Sequence, residues 1–266
     1  MSNILPALFI GHGNPMNALL KNPYTKAWST LGQNIPRPRA VLAISAHWFA
    51  PGTGITVTTS PRTIHDFGGF PAELYQVKYP APGDPELARR VQELLAPTPV
   101  ALDESWGLDH GSWAVLCHVY PQADVPVVQV ALPLGYGPAQ VLAMGRALRS
   151  LRAKGVLVIG SGSMTHNLRE FFGGEREPSP YVVEFSRWVE SAVVRGDQAA
   201  LLDYRRQAPH AQRAHPSEDH FLPIFFALGA TGWGDEEAVQ ADYLSREVMY
   251  GILAMDSFAL ASAQPA

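Results

Sequence analysis

Histidines placed beside apolar runs are the residues of this sequence best suited to chemistry. His12 follows the run ALFIG, His47 follows AVLAISA, and His166 follows GVLVIG through a loop rich in glycine and serine. His110 and His220 each stand just before an apolar stretch with helical character. Neutral imidazole is the commonest protein ligand of zinc and also suits non-haem iron. If these side chains meet in one crevice, they predict a metal site.

The prediction of a metal site depends on whether these histidine side chains converge in space. A lone histidine at the end of a strand is more often a packed residue that bonds a backbone carbonyl. Burying three or four imidazoles together without a function would be costly, so a cluster favours a metal site. The glycines on both sides of His12 agree with this, because they permit close approach of the backbone to another group. The pattern does not decide which metal is bound.

The elements that must position these histidines are predicted from hydrophobic patterning. Short apolar runs that suit buried strands occur at 7–11, 40–46, 55–59, 125–132 and 155–160. Segments with helical spacing lie between and after them, at 84–97, 137–155 and 179–197. In the first of these, Asp84 and Pro85 provide an N-cap and a first-turn proline.

Strands that alternate with helices predict an α/β fold. We expect a single domain over residues 1–266, with a central, largely parallel or mixed sheet flanked by helices. Ligands of such folds bind beyond the carboxyl ends of the strands. His12, His47 and His166 are expected at that edge.

Composition narrows the class of protein. The 266 residues are 47% hydrophobic and 17% charged, which is typical of a globular chain. A net charge of −4 gives no basic surface for nucleic acid or for a membrane. The single cysteine, Cys117, lies in an apolar run and is expected to be buried and inert. The first residues lack the basic start of a secretion signal, and prolines interrupt the uncharged stretch 125–145. We therefore expect a cytoplasmic protein.

Six segments carry a resemblance to a known family. They are PALFIGHGNPMNAL, SAHWF, TIHDFGGFPAELYQVKYPAPG, WGLDHGSWAVL, GSGSMTHNLR and HPSEDHFLPIFFALGA. With them the sequence resembles the class III extradiol ring-cleavage dioxygenases of the protocatechuate 4,5-dioxygenase catalytic-subunit type, and more specifically their bacterial DOPA-dioxygenase branch. The segments occur in order and span nearly the whole chain.

The resemblance implies a role for each histidine of the pattern. It implies that His12 and His47 are metal ligands, and that His220 is the last metal-binding histidine of the branch. It implies that His166 is the active-site base, or an additional ligand when zinc occupies the site. His110 matches the proton donor of related extradiol enzymes.

The last ligand is the point where the sequence departs from much of the wider superfamily, which has a glutamate there. Glu218 and Asp219 stand beside His220, so a carboxylate ligand stays open. We favour His220, which occupies the motif position of the branch and abuts the start of an apolar helix. Glu218 falls in a polar turn, where a solvated carboxylate is expected.

The activity that the resemblance implies is cleavage of a catechol ring beside its hydroxyls, with insertion of both atoms of O₂. The cofactor implied is Fe(II), with Zn(II) as a metal that the isolated protein could hold. The expected partners are a small catechol and O₂, without nucleic acid or membrane, in a monomer or small homo-oligomer. Phe67, Phe70 and Tyr75 either wall the pocket or pack in the ordinary way.

Two other functions stay open. A zinc hydrolase would use the same histidines to activate water, because a zinc-bound water can have a pKa near 7. A non-catalytic binding protein of the Memo type would keep the fold without turnover. Dependence on ferrous iron and oxygen separates these alternatives from ring cleavage. Nothing in the sequence identifies the side chain of the catechol.

Overall fold

The computed structural model describes residues 4–235 and 239–262. Its strands are β1 (Ala7–Gly11), β2 (Ala40–Ala50), β3 (Thr53–Thr56), β4 (Val100–Asp103), β5 (Val127–Pro133), β6 (Val156–Gly162), β7 (Val239–Ser245), β8 (Val248–Met249), β9 (Leu253–Ala254) and β10 (Ser257–Ser262). The predicted domain, 1–266, and the expectation about a secretion signal both include residues 1–3, which lie outside the described residues.

The α-helices lie between and after the strands. They are α1 (Pro23–Asn34), α2 (Pro85–Leu94), α3 (His110–Val119), α4 (Pro138–Leu148), α5 (Pro180–Arg195), α6 (Gln198–Leu202), α7 (Tyr204–Gln207), α8 (Ala211–Ala214) and α9 (Pro223–Thr231). Short 3₁₀ helices occur at Pro15–Ala18, Leu74–Gln76, Arg149–Lys154 and Leu168–Glu170. Within the described ranges, the longest apolar helices fall short of what a membrane crossing requires.

Eight of the strands form one mixed sheet, in the order β4-β3-β5-β2-β6-β1-β10-β7. The four central strands β5, β2, β6 and β1 are parallel to one another. On one side β10 and β7 add antiparallel pairs. On the other side β3 runs antiparallel to β5, and β4 runs parallel to β3. The predicted α/β fold with a mixed sheet is confirmed.

Alternate residues of the central strands face two apolar cores, one on each side of the sheet. Ala7 and Phe9 of β1 belong to the core that includes α2, α4, α5 and α9. Leu8 and Ile10 belong to the core that includes α1 and α3. Strands buried on both faces need apolar residues at every position, which is why they were visible in the sequence as continuous runs.

The helix boundaries follow the signals predicted for them. Asp84 caps α2, because its Oδ1 accepts a hydrogen bond of 2.9 Å from the Leu87 amide. The segment 137–155 begins with α4 and ends in the Arg149–Lys154 3₁₀ helix, where Gly155 adopts a left-handed φ of +75°. Gly196 ends α5 in the same way, with φ of +65°.

The strand that carries His47 differs from the prediction. The sequence predicted that the strand ends at His47, but β2 continues to Ala50. Its pairing with β5 is interrupted between Ile44 and Phe49. His47 therefore stands in an irregular stretch of the strand. Such irregularities re-aim side chains and are common beside active sites.

The margins of the sheet were the least predictable part. Strand β3 covers Thr53–Thr56, earlier than the predicted 55–59, and pairs antiparallel with β5. The sequence did not predict β4, β7 and β10. Both β4 and β7 include exposed residues, so they lack the continuous apolar run of a central strand.

The tight crossing of α4 and α9 leads to a first prediction. A Cβ atom on Gly145 would overlap the carbonyl oxygen of Phe226, a backbone atom that cannot move aside. We expect Gly145→Ala to lower the free energy of unfolding by about 1–3 kcal/mol, the usual effect of overpacking a core. Urea denaturation measures the change. Gly68→Ala is the matched control, because a Cβ there meets nothing within 4 Å. Equal midpoints for the two variants would contradict the tight crossing.

Candidate functional site

Five histidines meet at the carboxyl edge of the central strands. His12 follows β1, His47 lies in β2, His110 opens α3, His166 follows β6, and His220 lies in the turn before α9. The rings of His12 and His47 are 4.9 Å apart, and those of His47 and His110 are 3.9 Å apart. The ring of His220 lies 5.5 Å from that of His12 and 3.5 Å from that of His166. The structure thus brings together every histidine that the sequence singled out.

Three of these histidines form a group with the spacing of metal ligands. One ring nitrogen from each of His12, His47 and His220 lies within 4.8 Å of the other two. The Nε2 atoms of His12 and His47 are 2.9 Å apart. Two histidines that share a zinc ion at 2.0–2.1 Å place their nitrogens about 3 Å apart. The spacing fits one shared divalent ion.

The tautomer of His12 is fixed by its neighbours. Its Nδ1 lies 2.9 Å from the Ser161 hydroxyl oxygen. That hydroxyl donates its own proton to the Gly111 carbonyl, at 2.5 Å. His12 must therefore donate from Nδ1, which leaves Nε2 as a bare lone pair aimed at the group.

His220 and His47 are oriented by carboxylates. Nδ1 of His220 donates to Asp219 at 2.5 Å, and Nδ1 of His47 lies 3.4 Å from Asp66. Both rings therefore keep Nε2 available. A carboxylate behind the distal nitrogen is the usual support of a metal-binding histidine, because it fixes the ring and raises its basicity.

The protonation state of His12 and His47 favours metal binding. Burial, together with the neighbouring imidazoles, holds the pKa values of His12 and His47 well below their usual range. Both rings are therefore neutral at pH 7, the form in which imidazole binds a metal. Burial alone would raise the pKa of Asp219, but its hydrogen bonds outweigh burial and lower it. The residues present fit a divalent metal ion held by three histidines.

The position of His166 in the site differs from that of the other predicted ligands. A ring nitrogen of His166 has metal-ligand spacing to Asp219 and His220, whereas His12 and His47 share a group with His220 but not with His166. Its ring stacks on that of His220 with an interplanar angle of 4°. Burial first, and then the charges of His220 and His215, lower the pKa of His166 to about 2. His166 is thus a neutral ring on the cavity wall.

His110 is paired with a residue that sequence reasoning missed. Its Nδ1 donates to Asp66 at 2.8 Å, and its backbone N–H donates to the same carboxylate at 2.9 Å. Burial would raise the pKa of Asp66, but the hydrogen bonds from His110 outweigh it and lower that pKa. The ionised carboxylate fixes the ring of His110 through Nδ1, so that Nε2 is the ring nitrogen not engaged by Asp66.

The sequence predicted that Glu218 lies in a solvated turn, and this prediction is wrong. Its side chain is half-buried, and Oε1 accepts a hydrogen bond of 2.9 Å from the Tyr204 hydroxyl. Among the described residues, the groups with metal-ligand spacing include Asp219 and His220 but not Glu218. The polar contact with Tyr204 explains the burial of this carboxylate without a metal.

A cavity of about 320 Å³ opens beside the histidines. Its wall contains His47, His110, His166 and His220 together with aromatic and apolar side chains, among them Phe67, Phe70, Leu168, Phe171, Tyr250 and Leu253. This size and lining are typical of a site for a small organic molecule. Of the two alternatives left open by the sequence, Phe67 and Phe70 follow the first and wall the cavity. Tyr75 does not; its hydroxyl accepts from the Phe70 amide at 3.3 Å.

The glycines beside His12 serve the fold. A Cβ on Gly11 would lie 3.0 Å from the Asp256 carbonyl oxygen, and a Cβ on Gly13 would lie 2.6 Å from the Met255 sulfur. Gly13 also has a left-handed φ of +62°. The close approach predicted from these glycines is therefore to the segment that precedes β10, which forms a wall behind His12.

The remaining candidates lie away from this chemistry. Each of the other four histidines has a hydrogen bond elsewhere: His65 with Val77, His118 with Asn17, His210 with Glu184 and His215 with Met164. Cys117 is half-buried in α3, and burial raises the pKa of its thiol to about 12. A raised pKa makes a thiol a poor nucleophile, which agrees with the predicted inertness, but Cys117 is half-buried where the sequence predicted burial.

Comparison with known proteins places this geometry in context. Residues 8–255 match the family model of the catalytic LigB subunit of aromatic ring-opening dioxygenase. A 4,5-DOPA dioxygenase extradiol of Escherichia coli K12 is 45% identical over 243 residues, covering 90% of this chain and 89% of that protein. One of Beta vulgaris is 38% identical over 266 residues, covering 98% of each. The crystal structure of an uncharacterized Escherichia coli K12 protein matches with a TM-score of 0.81 and 38% identity, over 96% of this chain and 99% of that chain.

Proposed function

The chain belongs to the family of the catalytic LigB subunit of aromatic ring-opening dioxygenases, and we propose that it opens the ring of a DOPA-like catechol by extradiol cleavage with O₂. The observation that carries the proposal is the convergence of His12, His47 and His220 beside a cavity of about 320 Å³ with aromatic walls. The ring of a catechol fits the aromatic walls, and its hydroxyls fit the end of the cavity that the histidines line.

In this proposal His12, His47 and His220 hold Fe(II) in the active protein, and Zn(II) is a metal that the isolated protein could retain. A bound ferrous ion supplies open positions for catechol and O₂ and the redox chemistry that joins them. Imidazole binds a metal as an uncharged ligand, so three histidines do not cancel the positive charge of the centre. That charge attracts an anionic catecholate.

His166 is proposed as the base that accepts a catechol proton. It lies on the cavity wall, and its ring nitrogens have no hydrogen bond to another described residue. Its stacking on His220 keeps the ring beside the centre. A positioned acid–base group contributes about 10²–10⁴ in rate. A role of His166 as a fourth ligand stays a prediction that metal analysis tests.

His110 is proposed as the proton donor. The carboxylate of Asp66 accepts from Nδ1 and fixes the ring, so that Nε2 is the atom that delivers the proton. The Asp66 carboxylate also accepts a hydrogen bond from the backbone N–H of His110, at the start of α3. The pair is therefore rigid, and the donor keeps its orientation while the ring opens.

The proposal is tested by reconstituting the metal-free protein with Fe(II) under anaerobic conditions and then measuring O₂ uptake with substituted catechols. Ring cleavage predicts uptake that requires both iron and a catechol. A zinc hydrolase would act without O₂, and a binding protein would consume none. Absence of O₂ uptake with every catechol would contradict the proposal.

The assignment of the last ligand gives a prediction with a matched control. We expect His220→Ala to lose metal and activity together, since His220 shares the group with His12 and His47. Glu218→Ala should keep its metal, because the carboxylate bonds Tyr204 instead. Elemental analysis of both purified variants measures the difference. A metal-free Glu218→Ala beside a metal-replete His220→Ala would reverse the assignment.

The expected partners are the catechol and O₂. The cytoplasmic location and the state of monomer or small homo-oligomer stay predictions. Fractionation of the source cells and the mass of the protein in solution test them.

A further inference from the structure

Tyr250 combines an unusual backbone with a position on the cavity wall. It has φ of +55°, and Gly251 follows with φ of +70°. An aromatic residue in the left-handed region is uncommon and strained. Such strain persists where the surroundings impose it, and it clusters at functional sites.

The surroundings of this turn, between β8 and β9, do impose it. The Tyr250 amide donates to the Glu175 carboxylate at 3.2 Å, and the Ser179 amide donates to the Gly251 carbonyl at 2.9 Å. A Cβ on Gly251 would lie 2.6 Å from the Glu177 carbonyl oxygen. The segment 175–179 therefore holds the turn, and with it the Tyr250 side chain, in one position.

The Tyr250 hydroxyl has an uncommitted proton. Asn14 donates to it from Nδ2 at 3.1 Å, while Asn14 Oδ1 accepts from the Met16 amide at 2.8 Å and so fixes the amide orientation. The phenol oxygen is thus an acceptor in this contact, and its own proton stays free to be donated. No acceptor for that proton lies among the described residues. The cavity wall therefore presents an oriented O–H donor.

The position of this donor indicates which end of a substrate it meets. Two of the three histidines of the metal-ligand group are deep: His12 is 2% exposed and His220 is 6% exposed. Phe171, on the wall, is 46% exposed, and its ring packs edge-on against Tyr250 at 5.0 Å. Tyr250 thus stands toward the open side. A catechol with its hydroxyls at the histidines extends its opposite substituent past this side.

We propose that Tyr250 determines specificity by donating a hydrogen bond to a carboxylate on the side chain of the catechol. The inference rests on the proposed function and names its preferred substrates as catechols with a short, acid-bearing substituent. An anionic acceptor is the partner that gains most from a fixed neutral donor, because charge-assisted hydrogen bonds are about twice as strong as neutral ones. Glu175, the nearby acid, is exposed and does not line the cavity.

The test is Tyr250→Phe, which removes the hydroxyl and keeps the ring against Phe171. We expect kcat/KM for L-DOPA to fall by about 10- to 100-fold, mainly through KM, as for a lost hydrogen bond to a charged group. Values for dopamine, which lacks the carboxylate, and for 4-methylcatechol should not change. Tyr136→Phe is the matched control, since Tyr136 is half-buried and does not line the cavity. Metal content and thermal unfolding should match the unsubstituted protein.

Three outcomes would overturn the proposal. One is an unchanged kcat/KM for L-DOPA, and another is an equal loss with all three catechols. A third is a loss shared by L-DOPA and dopamine, which would assign the hydroxyl to the ammonium group. If the unsubstituted protein cleaves none of the catechols, the proposed function fails instead. Calorimetric binding of L-DOPA and dopamine to the Zn(II)-loaded protein and to its Tyr250→Phe variant then tests the role of the hydroxyl, with weaker binding of L-DOPA alone as the supporting result.

Discussion

His12→Ala and His47→Ala should each purify without metal and without measurable ring cleavage. The Nε2 atoms of the two histidines are 2.9 Å apart, the spacing of two ligands that share one ion. Removing one leaves two neutral imidazoles, too few for the usual three-ligand catalytic site. Elemental analysis should therefore fall from about one metal per chain to a trace, and O₂ uptake with catechols should fall by at least about 10³.

His210→Ala provides the control for this pair. His210 is an exposed histidine that pairs with Glu184 on the surface, so its removal should leave metal content unchanged. Circular dichroism separates loss of metal from loss of fold. Stoichiometric metal in both His12→Ala and His47→Ala would show that the predicted site is wrong.

The second large effect is expected for His166→Phe. A phenyl ring preserves the stacking on His220 but cannot accept a proton. We expect kcat to fall by about 10²–10⁴, the contribution of a positioned acid–base group, while most of the metal stays bound. Steady-state O₂ uptake and metal analysis of the same Fe(II)-loaded preparation measure both effects.

Two results would contradict this assignment in different ways. Turnover near that of the unsubstituted protein with every catechol would show that His166 is not the base. Loss of metal together with activity would move His166 into the ligand set, as the resemblance allowed for a zinc-bound protein. Comparing Fe(II)- and Zn(II)-loaded preparations shows whether the answer depends on the metal.

The sequence predicted the centre of the fold well because the central strands are buried on both faces. Their continuous apolar runs also located His12, His47 and His166 at one edge of the sheet. His110 and His220 were noted from their positions just before apolar helical stretches, and the family resemblance implied their roles. The family match confirms that resemblance. The ligand and proton-transfer roles stay predictions. These histidines lie close together in space because of the order of the strands in the sheet. The five apolar runs of the sequence already indicate that sheet.

The supports of the histidines were not predictable in the same way. Asp66 is 44 residues from His110, and Ser161 is 149 residues from His12, so no local spacing connects them. Their contacts depend on side-chain rotamers and on the irregular end of β2. Tyr250 and Phe171 likewise come from remote segments with no periodic pattern. Half-exposed margin strands, including β7, gave no continuous apolar run.

The wall behind His12, formed by the segment that precedes β10, connects the proposed metal site to the stability of the whole fold. Strand β1 is backed by β10, and the pairing of Leu8 with Ala259 closes a loop of about 250 residues. Closing such a loop costs about 5 kcal/mol of chain entropy, which the packing of β10 must offset. A ligand that binds only the closed form stabilises it by mass action. Metal bound at His12 is therefore thermodynamically linked to the pairing of the first and last strands of the described fold, and each holds the other in place.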